Sequence, residues 1–151
     1  MSTRCQTKIE GTDLLVYRHC DGYPSSMLKV LLPFIQSFIE ARGWDTEYMV
    51  AQLVHHLISD YEKSNVERIK DHGPSYTGYG VDRAIHGDIE YLYEIRKDGT
   101  LFVQTPTHDK SYGIKGFKPV AKFKMGTTYD AAMVRLKVLA AKGGKFEHIA
   151  D

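Results

Sequence analysis

Hydrophobic positions change their period along the chain, and the changes assign the elements. Residues 2–20 read as a β-hairpin: Ser2 to Ile9 and Thr12 to His19 flank a Glu-Gly-Thr-Asp turn, and Leu14-Leu15-Val16-Tyr17 has strong strand character. With Glu10 and Asp13 closing the turn, Arg4 falls opposite His19 and Cys5 opposite Arg18. Alternation puts Arg4, Gln6, Tyr17 and His19 on one face, and Cys5, Ile9, Leu14 and Val16 on the other, which is the core side.

Helical spacing follows. Leu28, Leu31, Leu32, Ile35 and Ile39 predict a buried helix over residues 25–42, capped by Ser25 or Ser26, kinked or divided by Pro33 and ended by Gly43. Asp45 caps a second helix, with Trp44 and Met49 placed as a hydrophobic staple. Its stripe of Val50, Leu53, Val54, Leu57, Ile58 and Tyr61 runs to about residue 65, fraying toward Gly73-Pro74. Residues 73–87 read as an ordered loop. Asp88 to Lys97 and Thr100 to Thr105 form a second hairpin on a two-residue Asp98-Gly99 turn. Residues 106–118 read as a loop and Lys118 to Met125 as a short strand. Thr127 or Thr128 caps a third helix ending at Gly143-Gly144. The sum is one α+β domain over residues 1–151, an antiparallel sheet of two hairpins against two to three helices.

Composition narrows the classes. The chain has 151 residues, 42% hydrophobic and 26% charged, enough to bury a core and too apolar for a disordered tail. No apolar run approaches the roughly 18 residues of a membrane span, and the polar N-terminus carries no secretion signal, so a cytoplasmic protein without a membrane partner is expected. Its two cysteines then read as reduced thiols rather than a scaffold. A net charge of +1 argues against a nucleic-acid coat protein or a sequence-specific nucleic-acid partner. Charge is uneven, however. Residues 110–145 hold nine Lys or Arg and one acid, Asp130, either a solvated basic face or an electropositive rim for a phosphate-bearing ligand.

The most distinctive pattern is a doubled His-x-Asp, His19-Cys20-Asp21 and His86-Gly87-Asp88, each at the end of a predicted strand. Brought together, two imidazoles and two carboxylates would offer ligands for a divalent metal or an acid and base for a phosphodiester. The plainer alternative is that Asp21 closes a turn, Asp88 starts a strand and the histidines bond locally. A two-histidine phosphoesterase would carry Ser or Thr two residues after each histidine; Asp stands in both places and removes those neutral donors. Tyr17, Tyr23, Tyr76, Tyr79, Tyr91 and Tyr93 cluster on the same segments, and a tyrosine can stack on a base while its hydroxyl meets a phosphate or ribose. Tyr91 and Tyr93 alternate as buried strand residues do, which favours Tyr23 and Tyr79. Gly78-Tyr79-Gly80 and Gly113-Ile114-Lys115-Gly116 lack the Lys-Ser/Thr ending of a phosphate loop. No motif calls for a cofactor or a dedicated metal site.

The opening Met1-Ser2-Thr3-Arg4, the string Tyr17-Arg18-His19-Cys20-Asp21-Gly22-Tyr23-Pro24, Gly78-Tyr79-Gly80-Val81, and His86-Gly87-Asp88-Ile89-Glu90-Tyr91-Leu92-Tyr93 resemble a family of small uncharacterised proteins of bacteriophages and of bacterial and archaeal genomes. The resemblance covers residues 1–105 and leaves 106–151 as a basic extension. Its phage context implies an anti-defence protein in the host cytoplasm, similar in character to those that sequester or cleave cyclic nucleotides of immune signalling. The expectation is a binding protein that sequesters a cyclic dinucleotide or a cyclic ADP-ribose isomer, favoured over a phosphodiesterase using His19, Asp21, His86 and Asp88. Arg4 and Arg18 would neutralise phosphate, the alternative for Arg18 being that it points into the core face; Tyr23 and Tyr79 would stack on bases, and His19, Asp21, His86 and Asp88 would complete the site. Such capture favours a homo-oligomer that encloses the ligand. A module blocking a host protein through the Lys-rich C-terminal face is the third alternative.

Overall fold

The elements run in the order β1 (Cys5–Ile9), β2 (Leu15–Arg18), α1 (Pro24–Arg42), α2 (Thr46–Ser64), α3 (Val66–His72), β3 (Tyr79–Asp82), β4 (Tyr91–Ile95), β5 (Leu101–His108), β6 (Ile114–Phe123) and α4 (Tyr129–Ala141). The structure, a computed structural model, describes residues 2–73, 77–143 and 146. Expectations that fall on Pro74, Tyr76, Gly144 and Lys145 lie outside the described residues.

The strands form one six-stranded sheet in the order β3-β2-β1-β4-β5-β6, and α1, α2 and α4 contribute the core on one of its faces in a single-domain α+β fold. Alternation explains which face. Cys5, Ile9, Val16, Tyr91, Tyr93, Ile95, Leu101 and Val103 point to the helices and join Met27, Leu31, Ile35, Leu53, Leu57 and Leu136 in one core. Residues beyond 105 belong to the same unit, since Ala121, Phe123, Ala132 and Leu136 lie in that core. No helix among the described residues is long and apolar enough to cross a membrane.

The first hairpin has the register that alternation predicts, with Cys5 opposite Arg18 and Lys8 opposite Leu15. The sheet is mixed rather than antiparallel throughout, because β1 and β4 pair in parallel. β3 leaves the sheet at the end opposite to where β4 begins, on the far side of β2 and β1. The chain from 83 to 90 must therefore cross both strands and run back along them, as a strap on the face away from the helices.

Several local expectations change. β3 replaces part of the loop expected over 73–87; its four residues, two of them in a Tyr-Gly pair, are too short to show a period. The loop expected over 106–118 is instead the far half of a long β5–β6 hairpin. Pro106 is tolerated there because β4 pairs only with residues 101–104 of β5, so the missing N–H breaks no β4 ladder. The turn between β4 and β5 has three residues: only Gly99 has positive φ, whereas the expected two-residue turn needs it at Asp98 too. α1 runs unbroken through Pro33. Pro24 opens it at the first helical position, which makes Tyr23 the cap and puts Ser25 and Ser26 inside the first turn. Asp45 holds the cap position of α2 without a side-chain cap bond and meets Arg42 at 3.4 Å instead. Thr128 caps α4 by accepting the Ala131 N–H.

The Tyr17-to-Pro24 string forms the elbow between β2 and α1. Asp21 takes a left-handed conformation at φ 57°, which a short polar side chain tolerates. Gly22 donates to the Thr3 carbonyl at 2.9 Å, and its own carbonyl accepts the Tyr93 hydroxyl at 2.7 Å. A Cβ on Gly22 would lie 2.8 Å from the Cys5 Cβ. Gly22→Ala is therefore expected to destabilise the fold by about 1–3 kcal/mol through overpacking, against about 1 kcal/mol for Tyr93→Phe. Urea denaturation reads both, and a Gly22→Ala protein as stable as the parent contradicts this packing.

Candidate functional site

The strap carries His86 and Asp88, and its attachment begins with Gln6. That side chain lies on the open face of β1 and is fully buried. Its Nε2 donates to the Ala84 carbonyl at 3.0 Å, and its Oε1 accepts the His86 N–H at 2.9 Å. Beneath the strap Ile89 packs with Leu15 and Leu92, joined from the β6 side by Ile114 and Phe117. Asp82 starts the strap by accepting the Arg83 and Ala84 amides at 2.7 and 3.2 Å. Those amides hold its carboxyl below the ordinary range. Its other oxygen meets His86 Nε2 at 3.2 Å.

With the strap seated, His86 stacks on Tyr17, ring centroids 4.4 Å apart. The His19 ring lies on the same face, its centroid 6.4 Å from that of Tyr17. The His19 Nδ1 is 3.3 Å from the Tyr17 hydroxyl and 3.4 Å from Arg4 Nε. Arg4 can only donate, so Nδ1 is the lone-pair nitrogen and the ring proton sits on Nε2. Arg4 Nε also meets Asp88 Oδ2 at 3.2 Å. Burial, with the Asp88 carboxylate beside it, raises the Tyr17 phenol above its ordinary value, while Arg4 acts the other way.

Four of the residues expected at a site, Arg4, His19, His86 and Asp88, are thus brought together, with Tyr17 between them. The other four are elsewhere. Arg18 faces the helices, 6% exposed, where its Nε donates to the Cys20 carbonyl at 2.7 Å, its Nη1 meets Met27 Sδ and its Cζ lies 5.6 Å from the Tyr79 ring centre. Tyr79 shares that side, and burial pushes its phenol up to about 12; among the described residues its hydroxyl has no hydrogen-bond partner. Both turn inward because the side chains of β2 and β3 alternate, and 18 and 79 are paired positions. Asp21 is exposed in the elbow, and Tyr23 caps α1. The four-ligand metal arrangement therefore does not form: Asp21 is not in the group, and no cluster of three or more metal-ligating side chains exists among the described residues.

Cavities lie on both sides of the sheet. A groove of about 300 Å³ borders the strap, lined by Ile85, Gly87, Ile114, Lys115, Gly116 and Phe117. A larger cleft of about 430 Å³ opens between α1 and α4 on the helical side. Cys5 is buried and its thiol pushed up to about 12 by burial, whereas Cys20 is exposed; both are free.

Sequence reasoning missed Gln6 and Asp82. Gln6 stood on the expected face, but nothing in a single glutamine announces that it will bond a segment eighty residues away. Replacing it with Leu leaves a strap carbonyl and amide without partners, at an expected cost of about 1–3 kcal/mol. Hydrogen exchange at the His86 amide should accelerate more than at core amides of β4; equal exchange in the parent and Gln6→Leu proteins contradicts the clamp.

No family model, no curated protein and no solved structure matches the chain.

Proposed function

We propose that the protein captures a small phosphorylated nucleotide on the open face of its sheet, with Arg4 as the phosphate anchor. The observation that carries this reading is how Arg4 is held. Its Nε is tied to Asp88 and His19, which fixes the plane of the guanidinium. Apart from the neighbouring Tyr17 hydroxyl, no described residue bonds its terminal nitrogens, and the side chain is 32% exposed. A planar fork held from behind suits two-point recognition of a phosphate, and Asp88 orients it more than it competes for it.

The surroundings suit the rest of a nucleotide. His86 presents an imidazole already stacked on one side against Tyr17, a flat surface for a base. His19 offers an Nε2–H donor for a phosphate or ribose oxygen. The groove beyond the strap supplies an apolar bed, with Lys115 at its edge. Cyclic dinucleotides and cyclic ADP-ribose isomers combine these features: phosphates, ribose hydroxyls and bases in one compact ligand.

Capture rather than cleavage fits the histidines, since each has one nitrogen committed within the protein, and the group lies at the surface rather than in a water-excluding chamber. A site this open holds a ligand more tightly once covered, so a second copy facing the first belongs to the same reading, as does sequestration of an immune signal in a host cytoplasm.

Titration calorimetry with cyclic di-GMP, cyclic di-AMP and cyclic ADP-ribose tests it. At least one is expected to bind the parent protein. Arg4→Ala should weaken that ligand by about 1.5–3 kcal/mol, or roughly tenfold to a hundredfold, at unchanged thermal stability. Arg4→Lys should not restore it, because an ammonium lacks the fork. Binding that survives Arg4→Ala, or no binding by any of the three, contradicts the proposal.

A further inference from the structure

On the opposite side of the sheet, the geometry points to a second, independent site: the α1–α4 cleft takes a phosphate monoester carrying a small flat ring. It does not rest on the open-face reading and shares none of its four clustered residues.

The cleft is formed by matching stripes on two helices. Tyr129, Met133 and Lys137 recur every four residues on α4, and Ser25 and Lys29 do the same on α1. The Tyr129 hydroxyl donates to the Ser25 carbonyl at 2.6 Å, so the first turns of the two helices are joined at the base of the cleft. Tyr23, the cap of α1, completes that end. The volume of about 430 Å³ falls within the roughly 300–1,000 Å³ common for small-molecule sites.

Its chemistry is graded along its length. Tyr129 and Met133 supply a flat ring and a polarisable thioether, surfaces that suit an aromatic ring. Lys29, one turn beyond Ser25, and Lys137, two turns beyond Tyr129, stand one on each wall. No acidic side chain lines the cleft, and neither lysine pairs with a carboxylate among the described residues. Lys29 also borders a neighbouring cavity lined by Asp60 and Lys63, while in the α1–α4 cleft it and Lys137 supply one cationic group from each helix, the charge a dianion requires. The ring belongs between Tyr129 and Met133, and the phosphate between the ammonium groups. Lys137, Met133 and Tyr129 all come from the basic C-terminal segment, of whose nine Lys or Arg residues the cleft uses Lys137.

Phenyl phosphate is the probe, with benzyl alcohol and inorganic phosphate as its two halves, titrated into the full chain and followed by amide NMR shifts. Phenyl phosphate should shift the amides of residues 25–29 and 129–137 and bind at least tenfold more tightly than either half. Lys29→Gln and Lys137→Gln should each weaken it at least fivefold. Met133→Trp, which fills the cleft, should abolish it, while Arg4→Ala should leave it unchanged. The inference is overturned if those amides do not move, if benzyl alcohol binds as well as phenyl phosphate, if inorganic phosphate alone does, or if the lysine variants bind like the parent. Thermal melts of each variant keep loss of fold separate from loss of binding.

Discussion

A buried side-chain amide holds the open face of this protein together. The chain must return from β3 at one edge to β4 beyond β1, crossing two strands, and the crossing segment brings backbone groups that need partners. Gln6 meets two of them, donating to Ala84 and accepting from His86, at the centre of the crossing. An amide suits the task because it has a donor and an acceptor side by side, matching a carbonyl and an N–H two residues apart. Once that pair is fixed, His86 falls on Tyr17, Asp88 reaches Arg4 and Ile89 enters the small apolar cluster beneath. The candidate site is a consequence of how the strap is seated.

The elbow after β2 provides the other half of the arrangement. Tyr17 and His19 point to the open face while Arg18 between them points inward, by simple alternation. Arg18 is a buried guanidinium with no ion-pair partner among the described residues, and it offsets the cost of that burial with the Cys20 carbonyl, the Met27 sulfur and the Tyr79 ring. These contacts link the elbow to α1 and β3. The string that stands out most in the sequence is therefore chiefly architectural: Arg18, Asp21, Gly22 and Pro24 shape the turn, and Tyr17 and His19 are what the turn presents.

The same distinction explains how far the sequence could be read. Once the Glu-Gly-Thr-Asp turn sets the pairing, the two-residue period of a strand makes the first hairpin legible down to its register, and with it the face shared by Arg4, Gln6, Tyr17 and His19. The stripes of α1 and α2 were legible for the same reason. β3 was not, because four residues with a central glycine have no period, and without β3 the strap's path over the sheet cannot be inferred. The β5–β6 hairpin was hidden by Pro106 and by glycines that usually mark loops. At the site, His19, His86, Asp88 and Arg4 converge as the hairpin face and the doubled His-x-Asp motif suggest, but Arg18 and Tyr79 obey alternation and face the core. Asp21, whose spacing from His19 suggests a paired site, serves the turn.

Two faces of one sheet thus carry different equipment: a polar group with a fixed guanidinium on the open side, and a cationic cleft between helices on the other. Capture of an intact nucleotide on the open side is the function we propose. The most direct measurement incubates the purified protein with a mixed panel of cyclic dinucleotides, cyclic trinucleotides and cyclic ADP-ribose isomers, washes it, releases what is held by heat and identifies it by mass spectrometry. An intact ligand in near-stoichiometric amount, retained by a Lys29→Gln/Lys137→Gln protein and lost from Arg4→Ala, is the predicted result. A hydrolysed product formed in excess over protein, or a panel recovered entirely in the wash, would contradict it.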